Sequence, residues 1–177
     1  KVLADSTSPD GVRLTTIQAT FPRFILAEIN THRMLSRCSA SSRAIPVEKR
    51  IASIEAGPFI PEQCGKTQKG MQAEELLEED ADMAARNEWK AACKQAIQSA
   101  RNLSGINVHK QIANRLLEPF AWHTAIITAT EWSNFFHLRC HPNAQPEFKK
   151  IAEMMREVMA ASTPFPVQYG GWHLPLW

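Results

Sequence analysis

The sequence has few cysteines, no paired cysteine motif and no long hydrophobic run. Its four cysteines, Cys38, Cys64, Cys93 and Cys140, are far apart, and none forms a C-x-x-C pair. A chain of 177 residues can bury a sizeable core without disulfides, and no signal peptide is visible, so we expect reduced thiols in a cytoplasmic protein. No apolar run approaches the roughly 20 residues of a membrane-spanning helix, so we expect no membrane partner.

The chain also lacks an excess of charge and the common catalytic motifs. Twenty Lys and Arg against eighteen Asp and Glu leave a net charge of +2, so we expect no nucleic-acid partner held by a basic surface. There is no G-x-G-x-x-G, no complete G-x-x-x-x-G-K-[ST] phosphate-binding loop and no G-x-S-x-G nucleophile motif. If the protein is an enzyme, we therefore expect a bound cofactor and positioned cations rather than a protein nucleophile.

The pattern of predicted strands and helices, together with the family resemblance given below, leads us to expect an α+β fold, with a mixed or antiparallel sheet and packed helices, in a single domain over 1–177. Strands are predicted over 1–5, 12–21 and 123–130, and helices over 22–35, 46–54, 74–103, 107–119, 130–139 and 143–160. A loop is predicted over 36–45 and an irregular excursion over 57–82. The tail 162–177 is rich in proline and tryptophan, so we expect it to pack on the core or on a partner subunit.

The segment from Asn30 to Pro46, NTHRMLSRCSASSRAIP, concentrates arginine and serine after an apolar stretch. A helix predicted to start near Pro46 would present free backbone N–H groups, which bind anions, and Arg43 with the preceding serines would strengthen such a site. The alternative is a serine-rich capping loop with solvated arginines. Composition alone favours that alternative.

Two later arginines are further candidates for binding a ligand. Arg115 lies near the end of a predicted helix, and Arg139 follows a phenylalanine-rich helix that also carries Asn134. A partly buried arginine is a permanent positive charge that suits an anionic ligand, but either arginine could instead pair with a carboxylate. His137, Cys140 and His141 are close in sequence, but no second cluster completes a tetrahedral site, so we predict no metal.

These segments together resemble the flavin-dependent thymidylate synthases of the ThyX family. The family hallmark is R-H-R-x-x-S-x-N-E-x-S-x-R, and the chain reads THRMLSRCSASSR in the same register. Five hallmark positions match: His32, Arg33, Ser36, Ser41 and Arg43. The family's downstream pattern, an arginine before Leu-Pro, a strand, N-F-x-x-L-R and an Ala-Gln pair opening a helix, corresponds here to NRLLEP, TAIITAT, NFFHLR and NAQPEF.

The resemblance implies reductive methylation of dUMP to dTMP, with FAD as cofactor and with NADPH and 5,10-methylenetetrahydrofolate as co-substrates. The implied FAD contacts are Thr31, His32, Arg33, Ser39, Thr128, Ala129, Thr130 and Asn134. The implied dUMP contacts are Glu28, Ile29, Asn30, Ser39, Ala40, Ser41, Ser42, Arg43, Arg115 and Arg139. Arg139 is the implied catalytic residue, facing the pyrimidine and favouring its ionisation at N3. The family also implies a homotetramer with shared active sites.

The chain is identified as a compact and divergent member, of a kind that would suit a phage-like element and a host cytoplasm. Thr31 stands at the first hallmark arginine, and Cys38 and Ser39 stand at the usual Asn-Glu. Glu28 stands where the family commonly has glutamine. Two alternatives therefore stay open: a flavin enzyme modifying C5 of another pyrimidine nucleotide, and a non-catalytic nucleotide-binding homologue.

Overall fold

The computed structural model describes residues 1–176, and Trp177 lies outside the described residues. The strands, in chain order, are β1 (Val2–Thr7), β2 (Arg13–Pro22), β3 (Ser36–Ser39), β4 (Trp122–Ala129) and β5 (Phe165–Pro166). The α-helices are α1 (Leu26–Ile29), α2 (Val47–Ala56), α3 (Glu79–Gly105), α4 (Lys110–Ala113), α5 (Ser133–Arg139) and α6 (Pro146–Ala160). Single 3-10 segments cover Arg23–Ile25 and Asn114–Phe120.

The five strands form one sheet in the order β3-β4-β2-β1-β5. β1 and β2 are antiparallel, as are β3 and β4, whereas β5 runs parallel to β1. In β4 every second residue is buried from His123 to Ala129, which is the alternation of a strand with one face on a core. The predicted α+β fold with a mixed sheet and packed helices is confirmed.

The chain forms two compact units. The first contains residues 1–21, 25–39 and 123–177, and therefore most of the sheet with α1, α5 and α6. The second contains 22–24 and 40–122, and therefore α2, α3 and α4. The expectation of a single domain over 1–177 stays a prediction.

The core of the second unit comes from three helical segments with apolar residues at helical spacing. Ile51 and Ile54 of α2 pack with Cys93 and Ile97 of α3 and with Leu117 of the 3-10 segment. Trp89, Cys93 and Ile97, spaced four residues apart, thus form the buried face of α3, with Trp89 partly buried. In the preceding stretch, 57–78, the only pairing among the described residues outside the named strands is a single bridge between Gly65 and Leu76.

In the first unit, α6 begins with Pro146 in its first turn, where the missing N–H of proline is harmless. Its buried residues, Phe148, Ile151, Ala152 and Met155, follow helical spacing, and the helix packs against α5. The tail also contacts its own unit, because the His173 ring lies within 2.7 Å of Ser6 Oγ and 2.8 Å of Thr16 Oγ1.

Two sequence predictions near residue 30 were wrong. The helix predicted over 22–35 is only a 3-10 turn followed by α1, which ends at Ile29. The loop predicted over 36–45 contains a strand, because Ser36–Ser39 pairs with β4 in the register Ser36 to Thr128 and Ser39 to Ala125. Strand pairing of this kind depends on a segment some ninety residues away, and short-range patterns do not report it.

Candidate active site

A cavity of about 330 Å³ opens in the first unit beside the turn that follows α1. Its wall combines aromatic and aliphatic side chains with two arginines, an asparagine and a carboxylate. The lining residues are Thr31, His32, Arg33, Met34, Leu35, Glu131, Asn134, Phe135, Leu138 and Arg139. The hallmark segment and the downstream phenylalanine-rich helix, which the sequence pointed to separately, therefore meet at one cavity.

Hydrogen bonds at the end of α1 shape the first wall. Thr31 Oγ1 donates to the carbonyl of Glu28 at 2.7 Å, and Arg37 Nη1 donates to the carbonyl of His32 at 2.6 Å. A cation at the carbonyl end of a helix is also favoured by the helix dipole. The turn buries His32, which is 9% exposed, and leaves Thr31 and Arg33 exposed. Arg37 was missed by sequence reasoning, and no local pattern singled it out.

His32 and Arg139 are joined directly by a hydrogen bond. Arg139 Nε donates to His32 Nε2 at 2.8 Å, so that nitrogen carries a lone pair and the proton of the neutral ring lies on Nδ1. The His32 ring meets Phe135 and Phe148 edge-on at centroid distances of 5.0 and 5.9 Å. Burial, together with the nearby cations Arg139 and Arg37, lowers the pKa of His32.

Arg139 is the last residue of α5, and its guanidinium lies 4.5 Å from the centre of the Phe148 ring. Among residues 1–176, no carboxylate lies within ion-pair distance of this half-buried cation. The carboxylate-pairing alternative for Arg139 is therefore wrong within the described chain. A desolvated cation without an anionic partner is suited to binding an anionic ligand.

The start of α5 forms the second wall. Helix α5 begins later than the predicted start at residue 130, and Trp132 occupies its N-cap position. Glu131 instead accepts from the backbone N–H of Ser133 at 2.6 Å and from its hydroxyl, and these bonds lower the pKa of Glu131. Glu131 and Leu138 line the cavity and were not among the predicted site residues. A first-turn carboxylate on a helix was the one signal that could have drawn attention to Glu131.

The predicted FAD contacts divide into two groups. Thr31, His32, Arg33 and Asn134 line the cavity. Ser39, Thr128, Ala129 and Thr130 do not line it: Ser39 pairs with Ala125, Ala129 is buried, and Thr128 shares a hydrogen bond with Thr16 at 2.8 Å.

Three predicted dUMP contacts, Glu28, Ile29 and Asn30, lie at the end of α1. The Ile29 side chain is 2% exposed and lies in the core, so only its backbone could meet a ligand. Asn30 is exposed. Glu28 is partly buried, and its Oε2 atom has no hydrogen-bond partner among the residues that the structure describes. A buried carboxylate oxygen without a partner is costly, so it marks a position where a ligand donor would be stabilising.

The serine-arginine segment, residues 40–43, lies in the second unit. Ser42 is 1% exposed, and its hydroxyl donates to Glu118. Asn114 Nδ2 donates to the carbonyls of Ser42 and Ile45, each at 2.8 Å, which fixes the backbone between them. Ala40, Ser41 and Arg43 are exposed, and Ser41 Oγ accepts from the Arg43 N–H at 3.3 Å. The segment therefore exposes Ala40, Ser41 and Arg43 from a backbone that is held in place at Ser42.

Arg115, the second arginine singled out from the sequence, does pair with a carboxylate. Arg115 Nη1 lies 2.9 Å from Glu118 Oε1, and Arg23 Nη2 lies 3.1 Å from the same oxygen. Burial alone would raise the pKa of Glu118, but the hydrogen bond from Ser42 and the two arginines lower it overall. Arg115 stays 58% exposed, so it can turn toward a ligand at little cost.

Asn114 gives a test of this backbone fixation. We expect Asn114→Ala to lower the free energy of unfolding by about 1–3 kcal/mol, because two buried carbonyls lose their donor. Urea unfolding measures the change, and Asn102→Ala, on the exposed face of α3, is the matched control. Equal midpoints for the two variants would show that the bonds from Asn114 do not stabilise the segment.

Within the described residues, no group of three or more His, Cys, Asp or Glu side chains is arranged to hold a metal ion. The described helices include none with the length and apolar character needed to cross a membrane.

Comparisons with known proteins place the chain in a family and a fold. The family model of Thy1, the thymidylate synthase complementing proteins, matches residues 11–165. The chain is similar to a solved structure of the UMP/dUMP methylase PolB from Streptomyces cacaoi bound with 5-Br UMP, at a TM-score of 0.69 and 18% identity over 84% of this chain and 70% of that one.

A second PolB structure, bound with 5-Br dUMP, gives a TM-score of 0.70 at 19% identity, over 84% of this chain and 66% of that one. The chain thus spans about two-thirds of PolB. A search of curated proteins gave no significant match. Since the matched region covers most of the chain, and the hallmark segment and Arg139 lie within it, the chain belongs to the Thy1 family of thymidylate synthase complementing proteins.

Proposed function

We propose that the protein is a flavin-dependent thymidylate synthase, which methylates dUMP reductively to dTMP with FAD, NADPH and 5,10-methylenetetrahydrofolate in the cytoplasm. The observation that carries this proposal is Arg139: a half-buried cation in an aromatic-walled cavity, with no carboxylate of the described residues within ion-pair distance of it. Its position in the sequence matches the family's pyrimidine-facing arginine. Such a site requires an anionic partner, and an ionised pyrimidine supplies one.

The cavity wall fits part of a flavin. Phe135 and Leu138 offer an apolar surface to a planar ring, while Thr31, Arg33 and Asn134 offer polar atoms at its rim. Ligand pockets commonly enclose about 300–1,000 Å³, so a cavity of 330 Å³ suits the ring and not the whole dinucleotide. We therefore propose that the remainder of the FAD site comes from neighbouring subunits of a homotetramer. Bound and reduced, FAD supplies the hydride that completes the methyl group.

Arg139 is proposed as the catalytic residue. Its guanidinium keeps its charge at any physiological pH, so it can stabilise negative charge that develops on the pyrimidine at N3. The neighbouring thiol of Cys140 is a poor nucleophile, because burial raises its pKa. The site thus favours charge stabilisation over covalent attack by an enzyme cysteine.

The proposed phosphate contacts come from the segment Ser39 to Arg43 and from Arg115. Ser41 and Arg43 are exposed, and no carboxylate of the described residues pairs with Arg43. Serine hydroxyls, backbone N–H groups and two arginines are the donors that a phosphate monoester needs.

A second candidate is C5 modification of another pyrimidine nucleotide. Thr31, Cys38 and Ser39 replace hallmark residues, and Glu28 brings a carboxylate where the family has an amide. PolB, which shares the fold, is described as a UMP/dUMP methylase and was solved with both 5-bromo nucleotides. A ribonucleotide substrate is therefore the specific alternative.

Two measurements separate these possibilities. Purified protein titrated with FAD should bind it and show flavin absorbance, and a colourless protein that binds no FAD would exclude both candidates in favour of a non-catalytic homologue. Tritium release from C5-labelled dUMP and UMP, with folate and NADPH present, then identifies the substrate. Release from UMP alone would overturn the thymidylate synthase proposal and support the second candidate.

Thr31 gives a test of the hallmark position. We expect Thr31→Arg to tighten FAD binding by about tenfold, because an exposed arginine at the cavity rim adds a charge-assisted hydrogen bond to a phosphate or ring oxygen. Fluorescence quenching on FAD titration measures the affinity. Met34→Arg, which adds the same charge at another exposed lining position, is the control for simple electrostatic attraction.

A further inference from the structure

His32 holds the one hydrogen bond recorded for the Arg139 side chain within the described residues. The bond uses Arg139 Nε, at 2.8 Å from His32 Nε2, so both terminal nitrogens of the guanidinium remain available to a ligand. Phe148, 4.5 Å below the guanidinium, supports one face of it. A long side chain at the end of a helix has many rotamers, and these two contacts select one of them.

The bond requires a neutral imidazole, and the surroundings of His32 keep it neutral. The ring is packed edge-on against Phe135 of α5 and Phe148 of α6. The charged groups that face it are Arg139 from α5 and Arg37 from β3, and both are cations. Uptake of a proton would remove the accepting lone pair and place a second positive charge 2.8 Å from Arg139.

We propose that His32 is the positioning residue of Arg139: its neutral ring aims the guanidinium at the pyrimidine, and protonation of the ring releases the arginine and sets the acid limit of activity. This role differs from direct contact with flavin. It rests on the proposed function in one respect only, which is that the group bound by Arg139 is a pyrimidine. His32 acts through Arg139 and is not itself a catalytic residue.

The sign of the pH effect follows from the surroundings of His32. Burial lowers the pKa of His32 below its ordinary value of 6.5, so the ring is neutral and Arg139 is held at neutral pH and above. As the pH falls through the lowered pKa, the bond is lost and turnover falls with it. The acid limb of the kcat profile should therefore lie below pH 6.5.

Two substitutions separate positioning from a merely structural role. We expect His32→Ala to lower kcat by about 10- to 100-fold, with a smaller change in nucleotide KM, because a misaimed guanidinium stabilises the transition state poorly. His32→Gln offers an amide oxygen as acceptor and does not titrate. It should recover part of the activity and lose the acid limb, whereas His137→Gln, an exposed change on α5, should keep the wild-type profile.

A readout that needs no turnover tests the contact itself. In ¹⁵N NMR spectra of the intact protein, His32 Nε2 should show the shift of an unprotonated acceptor, and the Arg139 Nε–H signal should move in His32→Ala. A protonated Nε2 at pH 7.5, or an Arg139 signal unchanged in that variant, would overturn the proposal. If the NMR result holds but neither dUMP nor UMP is turned over, the proposed function fails and the positioning contact stands.

Discussion

Replacing Arg139 by alanine is expected to lower kcat for the pyrimidine nucleotide by about 100- to 1,000-fold while leaving bound FAD in place. Arg139 is a half-buried cation of the cavity with no carboxylate of the described residues within ion-pair distance, and its loss removes the stabilisation of a developing anion. The flavin contacts proposed for Thr31, Arg33 and Asn134 are retained in the variant. Tritium release from C5-labelled nucleotide measures turnover, and flavin absorbance after gel filtration measures occupancy.

Two further variants make the Arg139 result specific. Arg139→Lys keeps a positive charge but loses both the planar fork and the Nε–H that His32 accepts, so it should recover little activity. Arg156→Ala removes an exposed arginine from α6 and should leave kcat unchanged. Loss of FAD from Arg139→Ala would contradict the assignment of Arg139 to the pyrimidine, and full activity in Arg139→Lys would mean that charge alone suffices.

The second large effect is expected at Phe148, where alanine should reduce the free energy of unfolding by about 3–5 kcal/mol. Phe148 is 0% exposed and packs against Phe135 at a centroid distance of 6.0 Å as well as against His32. Truncation removes its buried apolar surface and leaves a cavity that the helices α5 and α6 can close only in part. Urea unfolding, followed by circular dichroism, measures the change.

The same variant also removes the support beneath Arg139. We therefore expect Phe148→Ala to lose activity at temperatures where it is still folded. Phe148→Leu keeps most of the side-chain volume, so it should lower the free energy of unfolding by less than Phe148→Ala does. Phe165→Ala is the matched control. Because Phe165 is 71% exposed, its replacement should lower the free energy of unfolding only slightly. A destabilisation at position 148 no larger than that of the control would contradict the packing described for α5 and α6.

Local patterns predicted the regular elements well where those elements are long. The apolar residues at helical spacing in α3 and α6 and the β-branched run of β4 report directly on the face that each element buries. Helix α2 also starts where Pro46 predicted it, since proline is suited to the beginning of a helix. Resemblance then indicated the family through the hallmark segment and the region of Arg139, and the match of the family model over residues 11–165 confirms the family.

The elements near the site were predicted less well, for a physical reason. Between Arg23 and Ser39 the chain makes only short elements, whose formation depends on partners far away in the sequence. The strand β3 forms because it pairs with β4, and carbonyls at and just after the end of α1 accept hydrogen bonds from Thr31 and Arg37. Neither signal is visible in a window of ten residues.

The sequence by itself was enough to indicate the family and the α+β class, because the hallmark motifs and the order of predicted strands and helices follow from residue types and their spacing. Only the tertiary structure decided which arginine already has a partner. Arg115 meets Glu118 three residues away on its own segment, whereas Arg139 meets His32 from 107 residues away and, among the described residues, no carboxylate. That difference depends on long-range packing, which brings the hallmark turn against α5 and leaves the charge of Arg139 for a ligand.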